Sequence, residues 1–164
     1  MWRSFCPKWS GKGCCVWSEL RRFLAIPQKR KLLLAEALLS LLTARLAMLF
    51  VPFRSIAAWL GEAGVETPPE AASDQIDVAR EISLAIAVMA RRVPWDGRCL
   101  AQALAATRML RRRGLEGTVS FGAARLDGEG FSAHAWLRFG PLFVTGGAGR
   151  ERFKIFTTFA RRVS

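Results

Sequence analysis

"RCLAQALAATRMLRRRGLEGTVSFGAARL" (residues 98–126) changes its period halfway through. From Cys99 to Arg113 the apolar residues fall at helical spacing. Leu100, Ala103, Leu104, Thr107 and Leu110 form the stripe expected to be buried. Arg111, Arg112 and Arg113 fall where the negative end of a helix dipole favours cations, and Gly114 supplies the stop. Beyond Gly117 the period becomes two, as in a strand with two different faces.

Working outward, Pro94 is expected to end a preceding helix and Asp96 to cap the new one, which puts Cys99 in its first turn. Downstream, "DGEG" reads as a tight turn, "FSAHAWLRF" (131–139) as a second strand, "GP" as another turn and "LFVT" (142–145) as a third strand. "GGAGRER" reads as a flexible loop. "FKIFTTFARR" reads as either a final strand or a docking tail. Upstream, helices are expected at about 29–50, 53–60 (closed by Gly61) and 74–92 (capped by Ser73 or Asp74), with 61–72, "GEAGVETPPEAA", as a linker. Helices followed by an antiparallel meander make an α+β domain, with a cysteine-bearing helix packed on the sheet. The expected organisation is a basic arm at 1–26 and one domain at 27–164. Within that domain, 27–92 is a helical lead-in, 93–147 the core carrying the chemistry and 148–164 a tail.

With 51% hydrophobic residues the chain has enough apolar side chains for a core, which excludes a disordered class. The net charge of +12 is uneven. Residues 1–31 hold eight bases and one acid, whereas 32–164 hold seventeen bases and twelve acids. The basic character therefore points to an acidic partner or an anionic membrane surface. Nucleic acid is not expected, because the bases do not interleave with aromatics on one face. Of the four cysteines, Cys6, Cys14 and Cys15 lie in the arm with no CxxC and no histidine pair, so no metal site and no disulfide framework is expected. A reducing, cytoplasmic setting follows. The run 32–52 is long enough to be tested as a membrane span, but Glu36 and Arg45 interrupt it, so a packed or interfacial helix is expected.

Cys99 and His134 carry the chemical interest. A thiol in the first turn of a helix meets free N–H groups and the positive end of the dipole, and both stabilise thiolate. His134, the one histidine in the chain, sits in mid-strand two residues before Trp136. Separately, each has a bland alternative: a small buried hydrophobe for the cysteine and a structural ring for the histidine. Together, a helix-opening cysteine and a strand histidine can assemble a thiolate–imidazolium pair.

"RCLAQALAATRMLRRRGLEGTVSFGAA", followed by "FSAHAWLRFGPLFVTGG" and preceded by "KRKLLLAEALLSLLTARLAMLFVPFRSIAAWLG", resembles the transglutaminase-like core of lasso peptide biosynthesis B proteins, the microcin-processing type. The resemblance covers residues 27–147. It implies a cysteine protease that needs no cofactor and removes the leader from a ribosomally made precursor. Cys99 matches the nucleophile and His134 the general base, with Trp136 forming a wall of the site. It also implies three partners: the precursor peptide, a separate leader-recognition protein and an asparagine-synthetase-like macrolactam cyclase. The family's orienting aspartate is missing. "LFVTGG" has Thr145 and Gly146 in its place, and Asp127 and Glu151 are poorly positioned, so the third group is open among Thr145, Asp127 and a backbone carbonyl. The residues leave two further readings: a transglutaminase-like hydrolase or amide transferase of another pathway, and a non-catalytic protein binding a membrane surface or a partner. Peripheral attachment at the inner membrane is the open alternative for location.

Overall fold

The computed structural model describes residues 27–94, 99–126 and 130–162. The expected basic arm, the Asp96 cap and Asp127 lie outside the described residues. The chain divides into Met1–Lys31 and Leu32–Ser164, and all packing described below lies within the second.

Four helices precede the main sheet. These are α1 (Gln28–Phe50), α2 (Phe53–Leu60), α3 (Ser73–Ala90) and α4 (Cys99–Arg111). A two-residue strand, β1 (Glu62–Ala63), sits between α2 and α3. Strands β2 (Thr118–Leu126), β3 (Gly130–Phe139) and β4 (Leu142–Thr145) follow, then a 3-10 turn at Arg150–Arg152 and β5 (Lys154–Ala160). All pairings are antiparallel and the order is β1-β5-β2-β3-β4.

The architecture is the expected α+β class, with corrections in its details. The sheet is not a simple meander, because β5 returns to lie between β1 and β2. The segment left open as strand or tail is thus an interior strand. The expected linker is tied down: Glu62 and Ala63 pair with Ala160 and Phe159, and Thr67 N–H donates to Thr118 Oγ1 at 2.8 Å. Part of the expected loop at 146–152 is the 3-10 turn. Neither Ser73 nor Asp74 caps α3. Ala72 holds the extended cap position without a side-chain bond, and Ser73 is already helical. The same helix stops at Ala90, four residues before Pro94, in a turn where Arg92 and Val93 N–H both reach Met89 O.

The core lies between the helices and one face of the sheet, joining Leu41 of α1, Ile82 and Ile86 of α3 and Leu110 of α4 to Val119 and Leu137. Burial on α4 is wider than the expected stripe. Ala101, Ala105, Ala106 and Met109 are buried as well, while Leu100 is only partly so. Alanine is small enough to let neighbours close in on several sides, so α4 runs through the middle of the helical layer and packs on both β3 and β4.

The end of α4 is fastened by arginines. Gly114, at φ +70°, turns the chain, and Leu115 N–H returns to Leu110 O at 3.1 Å. Arg111 bonds Glu116 at 3.0 Å and gives 2.6 Å bonds to the Trp59 and Leu60 carbonyls, with its guanidinium 4.6 Å from the Trp59 ring centroid. Burial lowers the pKa of this guanidinium from its ordinary value, and Glu116 opposes the shift. Arg112 and Arg113 lie just past the helix and both reach Glu36 on α1, at 3.2 and 2.7 Å.

By length and composition α1 is apolar enough to cross a membrane, with a mean hydropathy of 1.9 over its best window. A core helix passes the same test, and Ala37, Ser40, Leu41 and Ala44 are buried in the domain. The opposite side keeps Leu32, Leu39, Leu46 and Leu49 exposed.

Candidate active site

Cys99 is the first described residue of α4, half-buried against the core, and its thiol is free. His134 lies in the middle of β3, directly opposite Gly122 of β2. Alternation along β3 sends Ala135 and Leu137 into the helical core. His134 and Trp136, one step out of phase, point to the other face. Trp136 is nonetheless buried, because that face is covered too.

Three rings build the cover. The His134 ring lies 5.7 Å from Trp136 and 5.0 Å from Phe153, both tilted by about thirty degrees. Gly122 makes room for them, since a Cβ there would come within 2.8 Å of the Trp136 ring and 2.9 Å of Phe153. Beside Gly122 the β2–β5 register shifts, and that irregularity sits directly across from His134.

The decisive contact is between His134 Nε2 and the carbonyl oxygen of Gly146, at 2.9 Å. A carbonyl only accepts, so Nε2 must donate. The neutral ring then carries its lone pair on Nδ1. Gly146 follows β4 immediately, at φ +66°, a left-handed conformation that favours glycine. A Cβ at Gly146 would fall 2.6 Å from Ala135 O, so the chain turns against β3 here only because no side chain intervenes.

Thr145 occupies the register position opposite Leu137, and by that register it faces the core side of β3. Its Oγ1 is buried without a hydrogen-bond partner among the described residues. The atom that holds the histidine is therefore the backbone carbonyl of the next residue. Sequence reading left a backbone carbonyl open without naming Gly146. The only available signal was the glycine pair ending "LFVTGG", which permits the turn.

The structure gathers His134, Trp136, Phe153 and the Gly146 carbonyl into one cluster on one face of β3, and it places Cys99 at the start of the helix that packs on the opposite, core face of that strand. Among the described residues, no hydrogen bond joins the Cys99 thiol to the His134 ring.

A family model described as the transglutaminase-like superfamily matches residues 41–158, a span that includes Cys99, His134, strands β2 to β4 and most of β5. No curated protein and no solved structure is detectably similar to the chain.

Proposed function

Because the chain belongs to the transglutaminase-like superfamily, we propose that it is a cysteine peptidase that removes the leader from a lasso peptide precursor, with Cys99 as nucleophile and His134 as its base. The observation that carries this reading is the Nε2–Gly146 bond, which leaves Nδ1 of His134 as the proton acceptor. A general base needs one ring nitrogen held so that the other can work, and this bond supplies that hold.

This mechanism requires the Cys99 thiol to come within hydrogen-bond reach of His134 Nδ1, give up its proton there and attack the scissile carbonyl through sulfur. The tetrahedral oxyanion is met by the Cys99 backbone N–H at the start of α4. Collapse breaks the C–N bond, His134 protonates the departing amine, and the leader remains as a thioester. Water, deprotonated by His134, then attacks the thioester, releases the leader as a carboxylic acid and returns the thiol.

The sequence resemblance supplies the substrate class, which is finer than the superfamily. The partners follow from it: the lasso precursor, a separate leader-recognition protein and the macrolactam cyclase. The basic character of residues 1–31 suits docking to an acidic partner or peripheral contact with the inner membrane from the cytoplasm. A second reading, amide transfer in another pathway, uses the same two residues with an amine in place of water.

Incubation of the chain with a lasso precursor and its recognition protein, read by mass spectrometry, tests these readings. Wild type is expected to release leader as the free acid, and Cys99→Ala is expected to leave the precursor intact. Exclusive formation of an amide with an added amine would favour the transferase. An intact precursor with wild type, or cleavage surviving in Cys99→Ala, would overturn the peptidase.

A further inference from the structure

A second polar feature lies among the helices, in a groove of about 400 Å³ between α1, α2 and α4. That volume is within the range of roughly 300–1,000 Å³ common for small-ligand sites. Its walls are apolar, from Ala44, Ala47, Val51, Ile56, Trp59 and Leu104. At the end nearer the start of α1 sit Arg108, Ser40 and Thr43.

Arg108 is a half-buried cation with no carboxylate partner among the described residues. Its NH1 makes two long bonds, 3.4 Å to Ser40 Oγ and 3.5 Å to Thr43 Oγ1, and neither hydroxyl carries charge. Nε and NH2 make no bond among the described residues. The nearest acid along α1 is Glu36, one turn before Ser40, and it is already paired with Arg112 and Arg113. Arg111, Arg112 and Arg113, which follow it in the chain, each bond an acid. A guanidinium presents donors in a planar fork that matches a carboxylate.

We propose that this groove binds a carboxylate on an apolar stem, its head held by the Arg108 guanidinium at the Ser40 end and its stem lying along α1 towards Val51 and Trp59. Charge complementarity selects the head, and the apolar walls select the stem. From Ser40 to Val51 the helix rises about 16 Å, long enough for an extended acyl chain or a few residues of apolar peptide. The site is separate from His134 and does not depend on the peptidase reading.

Two ligand sources share this chemistry and are tested side by side on the full chain. One probe is dodecanoate below its micelle threshold, with dodecanol as the uncharged control. The other is an apolar hexapeptide with a free C-terminal carboxylate, with its C-terminal amide as control. Calorimetric titration is expected to give one saturable site for at least one of the acids. The matching uncharged control is expected to bind at least tenfold more weakly. Arg108→Met is expected to reduce acid binding by the same factor, and Ala47→Trp, which fills the groove and leaves the cation, should abolish it. The acid that binds more tightly identifies the source. The proposal is overturned if neither acid saturates, or if acid and neutral control bind alike. Binding that survives both substitutions also overturns it, because the ligand would then be adsorbing elsewhere, as on the exposed leucines of α1.

Discussion

The two ends of α4 are built in opposite ways. At its C-terminal end Arg111 alone holds Glu116 and two carbonyls of α2, while Arg113 bonds Met109 O at 2.8 Å and Glu36 at 2.7 Å. At the N-terminal end the first described side chain is a free thiol. Cations at the C-terminus complement the negative end of the dipole, whose positive end favours an anion. The contrast teaches a division of labour: a helix fixed at one end can hold a reactive group steady at the other, without bonds that would occupy the group itself.

The largest expected effect is on the reactive side. His134→Ala should reduce leader release on the order of a hundredfold, the scale of lost general acid–base catalysis, at temperatures where the variant is fully folded. Near-normal turnover in that variant would remove the chemical half of the contrast. Next comes the anchor. Arg111→Met keeps much of the apolar stem but drops three hydrogen bonds around a half-buried guanidinium, and should cost about 2 kcal/mol. For a domain of this size that is a fall in melting temperature of roughly 4–8 °C. Any catalytic loss in Arg111→Met should vanish at temperatures where the variant is fully folded; a persistent loss would mean that the two ends are coupled. The smallest effect is expected for Glu36→Gln. Its arginine partners are more exposed than Arg111, so thermal unfolding should shift by under about 1 kcal/mol.

Much of this arrangement was legible in the sequence, for reasons that also explain the misses. Helices α1 and α2 and strands β2 to β4 carry strong local periods or sharp stops such as Pro52, Gly61 and Gly114, so their ends fall close to expectation. Strand β1 is two residues long and exists only because β5 reaches it from almost a hundred residues away, so no local pattern encodes it. Strand β5 has a strand-like composition, but its place in the interior of the sheet comes from pairing with β2, which is non-local. The breadth of burial on α4 was hidden by alanine, whose occurrence on a helix does not distinguish a packed side from an open one. For the candidate site, Cys99 and His134 stood out in the sequence by residue type and position. The histidine's holder was not, because a backbone carbonyl has no letter of its own.

That last feature has an evolutionary consequence. An orienting aspartate is a single codon's work and is lost in one substitution. The Gly146 carbonyl belongs to the main chain, so no exchange of side chain deletes the acceptor. Only a change that bends the path of the chain can remove it, and selection on foldability already acts against such changes at a left-handed glycine pressed against β3. A lineage that moves this duty from a carboxylate to its backbone gives up the negative charge beside the imidazole. In exchange it gains a ring orientation inherited together with the fold.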